Sequence, residues 1–368
     1  MRIARIVVTR FRLPFREAYV TAAGSATHRE GFIVRIETDG GLRGVGEGAL
    51  LPHETQGVEA LGERMRALAQ GVAGLAIEDF FTLDGSGAAD VEAVAWAPIS
   101  IAAWDLAGRL HGVPLSRLLD PDASGRVAVN ALIGGGDVAA VTKSALAARK
   151  AGYGTVKLKV GLAKTVEEER LRVAACRLAL GTDVRLRLDA NGAWGEQQAI
   201  ETLRALASYD IEYVEQPVAP GGLETLRRVR EASPVRIAAD EDVTDRASAE
   251  RVLKAGAADA LIVKPLQSGG VVLSCMIATA AAAESVSVTF TTSIDSGIGT
   301  AAALQLAAAN GAGRHGLSTL SLLEDDLIAE GLPIEGGMMR LPETPGLGVE
   351  LDEAALGRYA VGEWEIKA

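Results

Sequence analysis

Five short apolar runs follow one another between Gly154 and Pro265, and each ends in charged residues: TVKLKVG, VRLRLDAN, IEYVEQP, IAADED and LIVKP. The terminal charges stand at Lys159, Asp189, Glu215, Asp240 and Lys264, in steps of 30, 26, 25 and 24 residues. A strand, a loop, a helix and a return loop occupy about 25–30 residues, so this spacing predicts successive parallel strands joined by helices. When such a sheet closes into a barrel, the C-terminal strand ends converge on one mouth. Strand side chains alternate faces. Lys157 and Lys159 therefore share a face, as do Arg187, Asp189 and Asn191.

The flanking patterns complete a barrel. VAVNALIG after Arg126 reads as its first strand, SVSVTFTTS (Ser285–Ser293) as its seventh and HGLSTL (His315–Leu320) as its eighth. AAALQLAAA (Ala301–Ala309) reads as a small-residue helix against the sheet, and a helix starting near Gly195 carries Leu203, Leu206 and Tyr209. Upstream, RIVVTRFRLPF and FIVRIETDGGLRGVGEGALL alternate as strands, with Asp39-Gly40 as a hairpin turn. Phe15–His28 between them is small and polar, which predicts a mobile loop. Gly41, Gly44, Gly46 and Gly48 resemble a nucleotide loop only superficially, because no helical pattern follows. Residues 55–120 read as helical, with Ile99, Ala102, Ala103, Leu106 and Leu110 on one face until Gly112 and Pro114. The fold class is thus α/β: a modified (β/α)7β TIM-type barrel over residues 126–320 with an α+β N-terminal capping domain over 1–125. Residues 321–368 are a C-terminal segment.

At 368 residues the chain is long enough for a barrel and a second domain. A net charge of −11 argues against a nucleic-acid surface, so local lysines must draw in an anionic substrate. Two cysteines, Cys176 and Cys275, build neither a disulfide framework nor a zinc site, which fits a reducing cytoplasm. No apolar run approaches the roughly 20 residues of a membrane span, and the first residues lack a signal-peptide core.

The predicted mouth gathers Asp189, Glu215 and Asp240, with lysines on the strands to either side. Three bare carboxylates would repel and be partly protonated. A hard divalent cation with oxygen ligands, Mg²⁺ or alternatively Mn²⁺, resolves that. Such an ion also stabilises, as a Lewis acid, negative charge that develops on a bound substrate. Arg187 lies under the site by periodicity and is expected to brace the carboxylates. His28, His53, His111 and His315 are read as carrying no chemistry.

The set Lys157-x-Lys159, Asp189-Ala-Asn191, Glu215-Gln216-Pro217, Ala239-Asp240-Glu241 and Lys264-Pro265 resembles the enolase superfamily, muconate lactonizing enzyme subgroup, along nearly the whole chain. The resemblance implies that Lys159 is the acid/base lysine, Lys157 its support and Lys264 a group on the opposite side of the substrate. It implies Asp189, Glu215 and Asp240 as metal ligands, with Asn191 and Glu241 just behind them. It also implies that the C-terminal tail returns to the cap, and that loops near Phe15–Ser25 (with Tyr19) and Leu51–Thr55 close over the mouth. Subgroups resembling mandelate racemase need a histidine after strand seven, and this chain has none between His111 and His315.

Four two-lysine activities compete: o-succinylbenzoate synthase, muconate cycloisomerase, N-acylamino acid racemase and dipeptide epimerase. The turn TTSIDSGIG (Thr291–Gly299) opens a helix with hydroxyls and N–H groups, which suits a remote substrate carboxylate at Thr292, Ser293 and Ser296. Asp295 there is expected to face solvent or cap the helix. Dipeptide epimerases typically carry an Asp-x-Asp pair after strand eight, where this chain reads GLSTLSLLEDDL. The leading expectation is therefore o-succinylbenzoate synthase, a dehydration in menaquinone biosynthesis acting on a small carboxylate, in a homo-oligomer. A non-catalytic, metal-binding barrel is the alternative class, and α-proton exchange in D₂O separates the two.

Overall fold

The computed structural model describes residues 1–21, 24–52, 54, 57–86, 92–311 and 313–368. The N-terminal region is an antiparallel sheet covered by helices. Strands β1 (Ile3–Thr21), β2 (Gly24–Thr38) and β3 (Arg43–Gly48) lie side by side. The β2–β3 turn closes at Asp39-Gly40, where Gly41 adopts φ 78° and its N–H donates to Thr38 O at 2.9 Å. Helices α1 (Val58–Val72), α2 (Ile77–Gly85), α3 (Ala93–His111) and α4 (Leu115–Leu119) follow.

The β3 glycines have a packing reason. A Cβ at Gly44 or Gly46 would overlap the carbonyl oxygens of Ala102 and Pro98, so β3 lies flush on α3. Helix α3 is buried on nearly every side from Ala93 to Gly108. Its second neighbour is the barrel, and its small residues let it fit between the two. Leu110, expected on the buried face, is 43% exposed because the last turn runs past the sheet. Gly112 ends the helix in the left-handed conformation, as the sequence implies.

The expected mobile loop Phe15–His28 is instead the far end of the β1–β2 hairpin. Tyr19 pairs with Ala26 and Thr21 with Gly24 beyond an irregularity that starts at Pro14, which lacks a ladder N–H. Pro14 O accepts from Glu324 N at 2.9 Å, which ties the arm to the segment after the last barrel strand. Residues 22–23 at its tip lie outside the described residues, as do His53 and Thr55 of the expected second loop.

The barrel begins with β4 (Arg126–Val129) and β5 (Ala131–Ile133), one strand interrupted at Asn130. Then follow α5 (Val138–Lys150), β6 (Thr155–Lys159), α6 (Val166–Leu180), β7 (Arg185–Asp189), α7 (Glu196–Leu206), β8 (Ile211–Glu215) and α8 (Leu223–Ala232). The series continues with β9 (Ile237–Ala239), α9 (Arg246–Ala255), β10 (Ala260–Val263), α10 (Gly270–Ala283), β11 (Ser287–Phe290), α11 (Gly297–Ala309) and β12 (Arg314–His315). Strands β5 to β11 form one parallel sheet in chain order. Closure runs through β12, which pairs parallel with β4, and through the Thr291–Gly316 bridge beyond β11. The eighth strand is shorter than HGLSTL because the chain turns away at Gly316.

The C-terminal segment splits. Strands β13 (Ile334–Glu335) and β14 (Met338–Arg340) form a hairpin that pairs with β4 of the barrel. After α12 (Glu353–Tyr359), strand β15 (Ala360–Lys367) pairs antiparallel with β1 and completes the cap sheet.

Candidate active site

Five consecutive strand ends supply the mouth. Paired neighbours place Lys159 beside Asp189 and Asp189 beside Glu215. Lys157 Nζ donates to Glu215 Oε1 at 2.7 Å and lies 2.9 Å from Asp189 Oδ2. Lys159 Nζ donates to Asp189 Oδ2 at 2.6 Å and to Asn191 Oδ1 at 2.5 Å. Lys264 Nζ is paired with Asp240 Oδ1. The lysine side chains keep 14–22% exposure while Asp189 and Glu215 keep 1%, so the amines reach the mouth and these two carboxylates sit beneath them.

Burial opposes the charge on Lys157, but Asp189, Glu215 and Asp240 more than offset it, so it holds its proton well above the usual lysine range. Burial likewise opposes charge on Lys264, yet Asp240, Glu241 and Glu215 raise it. Burial pushes Asp189 up, and Lys157 and Lys159 draw it down further, so it stays ionised. Glu215 is driven well above the carboxylate range by burial and then by Asp189. Burial and Asp240 push Glu241 up to about 7.

Among the described residues no three carboxylate, imidazole or thiol groups are gathered closely enough to hold an ion as they stand. Each of the three carboxylates is instead turned onto an ammonium group. The donor set still fits a hard divalent cation. It is all oxygen, it comes from three adjacent strand ends, and its middle member is forced towards protonation by burial and then by the charge of Asp189. Glu241 Oε2, next in the chain to Asp240, is buried with no partner among the described residues.

The backbone under these groups is set by local strain. Asn191 and Gln216, each just past a strand-end carboxylate, adopt φ 44° and 39°. Gln216, which the sequence reading passed over, accepts from Asp240 N at 3.0 Å and donates to Asp242 Oδ2 at 2.7 Å, so it fixes the start of the next loop. Arg172 is also new: it donates to Lys159 O at 3.0 Å and pairs with buried Glu169. Gln216 carries no local signal because its partners come 24 and 26 residues later, whereas Arg172 could have been paired with Glu169 from their i,i+3 spacing on α6.

Arg187 does not brace the mouth carboxylates. It donates to Glu212 Oε2 at 2.6 Å and to Arg314 O at 3.0 Å, and stacks over Tyr213. An irregularity between β7 and β8 leaves Glu212 as the extra residue, facing Arg187 deeper in the barrel. His315 accepts from Phe290 N at 3.0 Å, and burial followed by Arg187 holds it down to about 3, so it is a neutral packing group.

The strand-seven turn differs from its expectation. The N–H groups of Ser296 and Gly299 donate to Glu47 at 3.0 and 2.8 Å, and that of Gly297 donates to Asp326 at 2.6 Å. The Ser296 hydroxyl also donates to Glu47, at 2.6 Å. The helix N-terminus is therefore engaged by the protein's own carboxylates. Asp295 neither faces solvent nor caps α11. It is 1% exposed, accepts from Ser293 N and Oγ, and lies 3.5 Å from Arg29 of the cap, while Ser296 is the cap residue. Thr292 bonds to Thr319 through its hydroxyl at 2.7 Å. The Tyr19 ring lies tilted beside Phe15, centroids 5.7 Å apart, and among the described residues nothing ties it to the lysines.

Cap, closed barrel and lysine–carboxylate mouth together define an enolase-type enzyme of the isomerase and lyase kind. Residues 3–120 match the mandelate racemase / muconate lactonizing enzyme N-terminal domain and residues 140–355 the enolase C-terminal domain-like family; the chain belongs to that family. It is 32% identical to a hydrophobic dipeptide epimerase of Enterococcus faecalis, over 95% of this chain and 99% of that one. A chloromuconate cycloisomerase of Cupriavidus pinatubonensis is 30% identical over 95% and 96%. The solved Enterococcus faecalis dipeptide epimerase, complexed with Mg and the dipeptide L-Leu-L-Tyr, superposes with a TM-score of 0.87 at 31% identity, covering 95% of this chain and 100% of that one.

Proposed function

We propose that the chain catalyses reversible proton transfer at the carbon α to a carboxylate, with Lys159 and Lys264 as acid/base groups on opposite faces. The observation that carries this reading is their placement. Strands β6 and β10 are separated by the three carboxylate-bearing strands on one side. On the other side lie β11, β12 and the split first strand. Two positions four strands apart either way round an eight-stranded barrel face each other across the mouth. The free amine of Lys159 takes the α-proton: the C–H bond breaks, an N–H bond forms and the electron pair enters the enediolate. The Lys264 ammonium delivers a proton to the other face. Asp189, Glu215 and Asp240 would hold Mg²⁺, whose chemistry there is Lewis-acid stabilisation of the substrate carboxylate's growing charge. Lys157, held cationic, adds to that stabilisation.

The relatives named above are a dipeptide epimerase and a cycloisomerase, which moves the leading reading from dehydration to isomerisation. The pocket wall narrows the substrate. The chain directly after β12 reads Gly316-Leu317-Ser318-Thr319-Leu320, with no acid pair to hold an ammonium. The favoured substrate is an amino acid whose nitrogen is acylated. Formation of o-succinylbenzoate is the second reading, favoured by the same missing acid pair.

A panel tests this: N-succinyl amino acids of both hands, an Ala-Glu dipeptide, cis,cis-muconate and the o-succinylbenzoate precursor, each with Mg²⁺ in D₂O. Exchange of both N-succinyl enantiomers is expected to dominate. Dominant dipeptide turnover would overturn the substrate reading, and dominant turnover of the precursor would replace it with dehydration.

A further inference from the structure

We infer that Asn191 and Glu241 form a positioning arm that aims the amine of Lys159, and that the arm serves only one face of the substrate. The inference deepens the proposed two-lysine reaction and rests on it. Lys159 Nζ has two fixed acceptors, Asp189 Oδ2 and Asn191 Oδ1. Lys264 Nζ has one among the described residues, Asp240 Oδ1. A neutral primary amine carries two N–H bonds and one lone pair. With both N–H bonds directed to fixed acceptors, the lone pair has a single direction left. With one acceptor it has a choice, and part of its population points away from substrate.

Asn191 can act this way only if its amide is held the right way round. Its Nδ2 donates to Glu241 Oε1 at 2.9 Å, which turns Oδ1 towards the lysine. A flipped amide would set NH₂ against the lysine donors and oxygen against the Glu241 carboxylate, replacing two attractive contacts with two repulsive ones. The backbone helps, because Asn191 sits at φ 44° and its N–H donates to Asp189 Oδ1 at 3.0 Å. Asparagine tolerates that left-handed conformation better than most residues. Asn191 thus hangs from the same carboxylate that Lys159 touches, and Glu241 sets its rotation from the end of the strand two places on.

Glu241→Leu removes the acceptor, and Glu241→Gln keeps a carbonyl that can still receive Nδ2–H. Asn191→Gly deletes the arm at no cost to a left-handed backbone. Exchange is followed by proton NMR in D₂O with N-succinyl-L- and N-succinyl-D-phenylalanine. Lys159→Ala first identifies the enantiomer whose proton faces Lys159. Asn191→Gly and Glu241→Leu are expected to slow exchange of that enantiomer at least about tenfold more than that of the other, and Glu241→Gln to keep the ratio within about threefold of wild type. Equal losses on both faces, or a Gln variant as impaired as the Leu variant, would overturn the inference.

Crystal structures of the two Glu241 variants decide the point whatever the substrate is. Asn191 Oδ1 is expected to leave Lys159 Nζ, beyond about 3.5 Å, in the Leu protein and to stay in the Gln protein. An unmoved amide in the Leu protein would also overturn the inference. Failure of wild type to exchange either enantiomer would sink the proposed substrate and leave these structures to judge the arm.

Discussion

Two buried clusters of charge meet the interior of this protein, and they are built on opposite plans. At the ends of β6 to β10, Lys157, Lys159 and Lys264 face Asp189, Glu215 and Asp240, all from the barrel and partly open to the mouth. At the strand-seven turn, Arg29 and Glu47 of the cap meet Asp295 and Ser296 of the barrel in a sealed seam. The first cluster leaves its amines accessible for chemistry. The second turns the N–H groups of Ser296 and Gly299 onto Glu47 of the cap, which holds cap and barrel together. A ring of charge is therefore no sign of a ligand site by itself; what separates the two is whether the groups reach an open mouth or are sealed between cap and barrel.

The largest expected effect breaks the first cluster. Lys159→Ala should lower turnover of any α-proton substrate by at least about 10³-fold, measured as kcat, with the fold intact by circular dichroism. Next, Asp189→Asn, Glu215→Gln and Asp240→Asn should each weaken Mg²⁺ binding at least about tenfold, about 1.4 kcal/mol, by titration calorimetry. Unchanged affinity in all three would remove the metal from this mouth.

The second cluster should answer in stability instead. Burial, and then the charge of Asp295, push Glu47 up to about 7 from an ordinary 4.5. A carboxyl raised in the folded state binds more protons folded than unfolded between those values. Its contribution is thus fully present below about pH 4.5 and lost as pH rises through 7, about 3 kcal/mol in all. Urea unfolding between pH 4.5 and 8 should show a smaller fall in Glu47→Gln, which cannot titrate there, than in wild type. A slope unchanged in the variant would assign the titration elsewhere.

The smallest effect sharpens the contrast. Asp295→Asn keeps an acceptor for Ser293 and lies in the seam, so kcat/KM should stay within about tenfold of wild type, under about 1.4 kcal/mol. A collapse of activity there would make the seam part of the substrate site.

The same contrast explains what was legible in the sequence. Lys159, Asp189, Glu215, Asp240 and Lys264 could be read because a parallel barrel repeats one unit, and a repeat leaves a period in the chain. Closure by Thr291 and Gly316, and the cap made from β1 and β15, leave no period: β1 reads as a strand by its alternation, whereas β15 lies in a segment whose pattern assigned no strand. Asp295 was misplaced because its partner Arg29 is 266 residues away, and a local N-cap rule had no knowledge of it. Phe15–His28 looked like a loop because it is small and polar, whereas its order comes from pairing across the hairpin and from Glu324. Arg187 was placed inward correctly by alternation, and only the β7–β8 irregularity decided that Glu212 is its partner.

The central claim is that two lysines work on opposite faces of one enediolate. The direct measurement is α-proton exchange from each enantiomer of an N-succinyl amino acid by wild type and by Lys264→Ala, in D₂O with Mg²⁺. Wild type should exchange both enantiomers. Lys264→Ala should lose exchange of one by at least about 10²-fold and retain the other through Lys159. Equal and undiminished exchange of both by Lys264→Ala would contradict the account.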